Sequence, residues 1–216
     1  MKNYVSNEDK SARMFDSNLM ELFTHVHPAL PLMIYVPVVF YSLYLAQIHT
    51  SAVGRVFLFC SGLVVWTLTE YILHREVFHL EPDTSWGKRL HFLMHGVHHD
   101  FPNDSRRLVM PPAVSIPLSV FFFFLFRALL GLNSVLPFFA GFITGYLCYD
   151  MTHFAIHHFP MKGRLGNYLR KHHFRHHYLD SENNFGVSSP LWDVVFKTLN
   201  DEGKEGTEQQ IDIACP

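Results

Sequence analysis

Four long apolar runs alternate along the chain with polar segments crowded with histidine. The runs cover residues 30–48, 56–73, 113–132 and 135–151. Each is close to the ~20 residues that an α-helix needs to cross a bilayer. Charges are nearly absent inside them, Glu70, Arg127 and, at the end of the fourth run, Asp150 being the exceptions. The pattern predicts an all-α integral membrane protein with four transmembrane helices. A short turn at 49–54 predicts that the first two spans form an antiparallel pair, and 131–134 reads as a tight turn. Residues 83–101 and 167–178 are too short and too charged to span, and they read as interfacial helices. Residues 1–18 are polar and expected to be poorly ordered, and 19–27 form a short interfacial helix. Residues 183–189 read as a turn-rich link, 191–199 as a segment packing back on the cap, and 200–216 as a tail that frays. The expected division is therefore an N-terminal segment (1–29), a membrane domain with its cap (30–199) and a tail (200–216).

Composition sharpens this picture only a little. Of 216 residues, 49% are hydrophobic, and the net charge of -2 leaves nothing resembling a nucleic-acid-binding surface. Cys60, Cys148 and Cys215 show neither metal spacing nor a disulfide framework. The N-terminus carries no signal-peptide pattern, so the first span is expected to direct insertion. Pro31 and Pro37 in that span are tolerable because neighbouring helices re-satisfy freed backbone groups. The run Phe121, Phe122, Phe123, Phe124 reads as lipid-facing bulk. Ala140, Gly141 and Gly145 suit close helix packing in the fourth span.

The histidines change the picture. His95, His98 and His99 form one trio and His173, His176 and His177 a second, each with the pattern His, two residues, His-His. Residues three and four apart on a helix lie on one face, ~5–6 Å apart, so the first His of each trio can point the same way as the last two. His153 and His157 share a face in the same way. His74 and His79 are five apart, which puts them about 140° apart on an ideal helix. The chain must bend there, or the two must reach a metal from different sides. Imidazole is the commonest protein metal ligand and binds zinc, copper, iron and nickel. These ten His exceed the four of a structural zinc tetrahedron, and two metals with four to six ligands each would use them. Metals with open positions beside an apolar membrane point to redox chemistry on a lipid, which zinc cannot perform and iron can. Glu70, Asp100 and Asp150 are the carboxylates placed to accept a ligand's second N–H, Glu70 foremost because it lies in a span. His91, His158 and His172 are further candidates for that outer layer. His25 and His27 read as plain interfacial residues.

Charge distribution gives an independent constraint. Three Lys or Arg precede the first span, five lie between spans two and three, and seven follow the fourth, leaving only Arg55 and Arg127. The positive-inside rule then places both termini and the long central loop in the cytosol. Every patterned His falls on that same side, in one helical cap. Arg106 and Arg107 read as positive-side anchors, with steering of an anionic head group as the alternative.

The runs "EYILH" at 70–74 through His79, "MHGVHHDFPNDSRRLVMPP" at 94–112, "YDMTHFAIHH" at 149–158 and "KHHFRHHYLDSENNFGVSSPLWDVVFKTL" at 171–199 resemble the fatty acid 2-hydroxylase family, within the wider fatty acid hydroxylase and sterol desaturase superfamily. The resemblance covers roughly residues 34–199. It implies a four-helix membrane domain under a cytosolic cap and a dinuclear site held by the ten His, with iron in the working enzyme and zinc possible in purified protein. It further implies a monooxygenase with O2 as co-substrate, acting at the carbon next to the carbonyl of a fatty acid or sphingolipid acyl chain. Fungal and animal members resemble a fusion with an N-terminal haem domain of cytochrome-b type. About thirty residues precede the first span here, so a separate donor of cytochrome-b or ferredoxin type is expected. The membrane would be the inner or cell membrane in a bacterium, the endoplasmic reticulum in a eukaryote. The rivals are a sister oxygenase acting on a sterol or carotenoid, and a metal transporter. A transporter places polar ligands near the midplane, and the spans offer few.

Overall fold

The computed structural model describes residues 4–201. Cys215 and nearly all of the expected tail lie outside them. Four helices are long and apolar enough to cross a membrane: α2 (Ala29–Ala46), α3 (Ala52–Ile72) continued to Phe78, α6 (Pro112–Leu130) and α7 (Leu132–His158). Local signals set their ends. Ser51 caps α3 by accepting a hydrogen bond from Gly54 N at 3.2 Å. Pro112 occupies the first turn of α6, where its missing N–H costs nothing. Gly131, at φ 76°, makes the left-handed corner between α6 and α7.

The second and fourth helices outrun their apolar stretches. At 27 residues each, they are ~40 Å long against a hydrocarbon core of ~30 Å. Both are thus longer than the hydrocarbon core is thick, and their last turns carry His74, His153, His157 and His158. The α3 helix continues as a π-helical turn over Leu73–Phe78. Its i→i+5 geometry, with His79 N donating to His74 O at 3.3 Å, brings two His five apart onto one face. This is how the awkward spacing is reconciled.

Helix α7 is the centre of the bundle. About 67% of its apolar 18-residue stretch is buried, against 22% or less for the corresponding stretches of the other three. The expected hairpin of the first two spans does not pack on itself. Both α2 and α3 lie against α7 instead and make hardly any contact with each other. The reason is the small residues. A Cβ on Gly141 would lie 1.9 Å from Phe59 O, and one on Gly62 would lie 2.0 Å from Phe138 O, so the backbones of α3 and α7 nearly touch. Trp66 fills the space further along, edge-on to Phe142 at 5.1 Å and Tyr146 at 5.4 Å. Of the four consecutive phenylalanines, Phe121 and Phe124 face outward, while Phe122 and Phe123 pack on Phe142 and Phe139. Helical geometry splits the run that composition alone assigns to lipid.

The cap gathers at one end of the bundle. It comprises α4 (Ser85–His91), a second π-helical turn (Phe92–Gly96), α5 (Val97–Asp100), α8 (Arg164–Tyr178) and α9 (Leu191–Phe196). Trp192 Nε1 donates to Thr67 Oγ1 at 3.0 Å and Phe196 stacks on Tyr71, fixing α9 to α3. The N-terminal segment departs from expectation. Residues 4–17 lack regular structure but are tied to the cap: Val5 N and Ser6 N donate to Asp100 O, and Ser11 Oγ donates to Asp104 Oδ1 at 2.7 Å. The short helix α1 (Asn18–Leu22) follows. Polar composition predicts disorder only where no partner exists, and here the loop at 100–107 supplies one.

Candidate metal centre

The ten patterned His fall into two groups of five. His74, His79, His95, His99 and His176 form the first, and His98, His153, His157, His173 and His177 the second. Within each group, one nitrogen per ring lies within 4.8 Å of all the others. Helical spacing explains the partition. In each trio the first and last His, four apart, share one group, and the middle His crosses to the other. His95 and His99 sit with the π-turn pair His74 and His79, and His98 reaches the second group. His173 and His177 sit with the α7 pair His153 and His157, and His176 reaches the first. The expectation that all three of a trio face one way is thereby corrected: α-helical geometry turns the middle residue ~60° from the first, enough to serve the neighbouring site.

The converging atoms are mainly Nε2. The Nε2 of His74 lies 3.0 Å from that of His95, His79 3.0 Å from His176, His98 2.9 Å from His153, and His157 3.0 Å from His173. The two groups abut: the His99 and His177 rings stack at 4.3 Å between centroids. Burial holds the imidazoles beyond the spans neutral. It pushes His95, His98, His99, His173, His176 and His177 well below their ordinary value, and His79 down to about 4. Neighbouring His add to the effect. Neutral imidazole is the metal-binding form. The buried Nε2 atoms of His99 and His177 have no hydrogen-bond partner among the described residues, a costly state unless something takes up their lone pairs. An all-nitrogen, neutral, convergent donor set fits a pair of transition-metal ions.

The outer layer differs from its sequence-based candidates. None of the three carboxylates hydrogen-bonds to a His of either group among the described residues. Glu70 instead accepts from Val187 N and Ser188 N, both at 2.8 Å, and from Ser188 Oγ. Asp100 offers its backbone carbonyl to the N-terminal segment, and partial burial raises its carboxyl pKa. Asp150 Oδ1 faces Met110 N at 3.4 Å. The ring of His91 packs on Gly96, that of His158 on Phe154, and His172 pairs with Asp193 at 3.1 Å.

The acceptors that do hold ligand rings are backbone carbonyls. His74 Nδ1 faces Phe185 O at 2.5 Å and His176 Nδ1 faces Asn183 O at 2.7 Å. Both belong to the link at 183–189, and spacing marks neither. The link is held by Asp193, fully buried, whose carboxylate accepts from Phe185 N, Gly186 N and Thr198 Oγ1, all at 2.8 Å. No spacing marks Asp193 either. Its signal is faint: one acid beside Trp192 in a cap-packing stretch.

A cavity of about 460 Å³ opens beside the centre. Its walls are overwhelmingly apolar, and His95, His98 and His153 reach into it, with Tyr149 and Asp150 beside them. Arg107, a candidate for steering a head group, also borders it. Its side chain is only 4% exposed and is ion-paired with Glu21 and Asp104, so its charge is already engaged. Arg106 is exposed.

Comparison with known proteins bears on this geometry. The fatty acid hydroxylase family profile matches residues 59–198. A ceramide very long chain fatty acid hydroxylase of Saccharomyces cerevisiae is 42% identical over 76% of this chain and 43% of its own length. A dihydroceramide fatty acyl 2-hydroxylase of Arabidopsis thaliana is 36% identical over 87% of this chain and 79% of its own. The chain thus spans less than half of the yeast relative's length. Among solved structures, full-length scs7p, of which only the hydroxylase domain is visible, superposes with a TM-score of 0.82 at 39% identity, covering 86% of this chain and 72% of that one.

Proposed function

The chain belongs to the fatty acid hydroxylase family, and from that membership we propose that it is an O2-dependent monooxygenase that hydroxylates a fatty acyl chain, free or within a sphingolipid, at the carbon next to the carbonyl. The observation that carries the reading is the pair of five-His groups at the wall of an apolar cavity. The names of the relatives, fatty acyl and ceramide hydroxylases, supply the substrate class. The ten His would hold two iron ions, five to each. Bound iron supplies the redox chemistry by which oxygen attacks an unactivated C–H bond. One oxygen atom enters that bond and the other leaves as water, so two electrons must come from a donor, of cytochrome-b or ferredoxin type and one at a time, and two protons from solvent.

The protein's own residues do the rest. The apolar walls exclude water and take up hydrocarbon, whose burial contributes ~0.8 kcal/mol per methylene. His98 and His153 belong both to the second group and to the cavity lining, so the acyl carbon they border is the one to react. Tyr149 and Asp150 are the polar groups near that point, suited to the carbonyl end of the chain. The carbonyls of Phe185 and Asn183 hold His74 and His176 in one orientation. The lysines and arginines on the cap side favour a cytosolic cap and termini, in the cell membrane of a bacterium or the endoplasmic reticulum of a eukaryote.

Mass spectrometry of lipids from cells expressing the wild type or His98→Ala, with a donor supplied, tests this. A species one oxygen heavier that fragments as a 2-hydroxy acid is expected from the wild type and not from the variant. An unchanged acyl pool with the wild type inserted and loaded would sink the reading and favour a sterol or carotenoid substrate.

A further inference from the structure

We propose that the N-terminal segment, residues 4–24, is a wall of the acyl cavity that selects the hydrocarbon chain of the substrate, and that Arg107 is the latch holding it in place. The proposal rests on the hydroxylase reading above. The segment lies wholly outside the matched residues 59–198.

Five hydrogen bonds tie it to the stretch that follows the first His trio. Val5 N and Ser6 N donate to Asp100 O, Asn103 Nδ2 donates to Asn7 O at 2.8 Å, Ser105 N to Asp9 Oδ1 at 2.9 Å, and Ser11 Oγ to Asp104 Oδ1 at 2.7 Å. Next comes the latch. Buried Arg107 donates to Ala12 O and to Glu21, and Asp104 lies 3.6 Å away. The other oxygen of Glu21 accepts from Met14 N and Phe15 N, both at 2.9 Å. Arg89 donates to Met14 O. A turn of chain with no regular structure is thus pinned by charge-assisted bonds, which are roughly twice as strong as neutral ones.

What the latch presents is apolar. Met14, Phe15, Met20 and Phe23 border the same cavity that His95, His98 and His153 enter. Met14 is 6% exposed, although it belongs to a segment of polar composition. Methionine is flexible and fills irregular space, so this wall suits a hydrocarbon chain and offers nothing to a charged group. A pocket discriminates by about tenfold or more per methylene that it fits or excludes. Chain selection is therefore written partly in residues that the family profile does not cover.

The test measures kcat/KM on acyl substrates of graded length for the wild type, Met14→Ala and Phe15→Ala. Widening the wall is expected to shift the preference toward bulkier or longer chains by about tenfold. Arg107→Met is expected to expose residues 4–24 to rapid amide exchange while the spans stay protected, and to flatten the chain-length preference. An active wild type whose length preference is unmoved by all three variants overturns the proposal. Photolabelling keeps it decidable if the wild type hydroxylates no lipid, the outcome that sinks the hydroxylase reading. A long-chain fatty acid carrying a diazirine near its terminal methyl should crosslink to residues 14–23. Crosslinks confined to other segments would dismiss the wall on their own.

Discussion

Asp193 holds three N–H or O–H donors and His172 with a single buried carboxylate. Asparagine in its place keeps the shape but turns one acceptor oxygen into a donor that must face another donor. Leaving a buried pair unsatisfied costs ~1–3 kcal/mol. The link at 183–189 should loosen, and with it the carbonyls that orient His74 and His176. Loss of such partners typically weakens metal binding ~10–100-fold. Asp193→Asn is therefore expected to lose metal from the first group on washing with chelator while the second group, whose rings do not lean on the link, retains its own. Elemental analysis checks this, and full metal content after washing would remove Asp193 from the argument. At this scale the sequence is legible only in part. Imidazoles announce themselves by type and spacing. Backbone carbonyls do not, because every residue carries one and only the fold decides which face a histidine. Glu70 shows the intermediate case: an acid in a span is conspicuous, but that it grips Val187 and Ser188 depends on where a distant loop comes to rest.

Among elements, the closest approach is between α3 and α7, where Gly62 and Gly141 bring backbones together without side chains between them. A methyl on Gly141 meets the carbonyl of Phe59 at 1.9 Å, and backbone cannot swing aside as a long side chain can. Gly141→Ala is expected to cost ~1–3 kcal/mol, the usual range for overpacking. Cys148→Ala, at an exposed site on the same helix, should change little. Thermal unfolding in detergent distinguishes the two, and equal midpoints would mean that the bundle yields at this contact. Apolar length and small residues forecast the four spans and tight packing. They did not forecast that α7 is the shared partner of α2, α3 and α6, since adjacency in sequence favours hairpins and only shape chooses the centre. The π-helical turn at Leu73–Phe78 is invisible to a 100° wheel, and there the spacing of His74 and His79 already signalled a departure from the α-helix.

For the molecule as a whole, the two His groups gather side chains from four pieces: the ends of α3 and α7, the α4–α5 run, and α8. At the centre these pieces meet through apposed imidazoles. Those outside the spans have folded-state pKa values lowered by burial, His79 from 6.5 to about 4. The unfolded chain then binds protons below about 6.5 that the folded cap refuses, so stability falls as the pH drops through that value. For His79 the loss continues to about pH 4, and for the more deeply depressed rings it continues lower. Metal binding competes with these protons because only neutral imidazole ligates, so the loaded protein should hold its cap to a lower pH. Amide exchange followed from about pH 8 to about pH 4 is expected to show α4, α5 and α8 opening first in chelated protein, with α3 and α7 still protected by their packing. Identical pH profiles for loaded and chelated protein would mean that the cap is held by its apolar contacts and not by the centre. A shift between them would make the ten residues placed to hold metal responsible also for attaching the cap to the membrane helices.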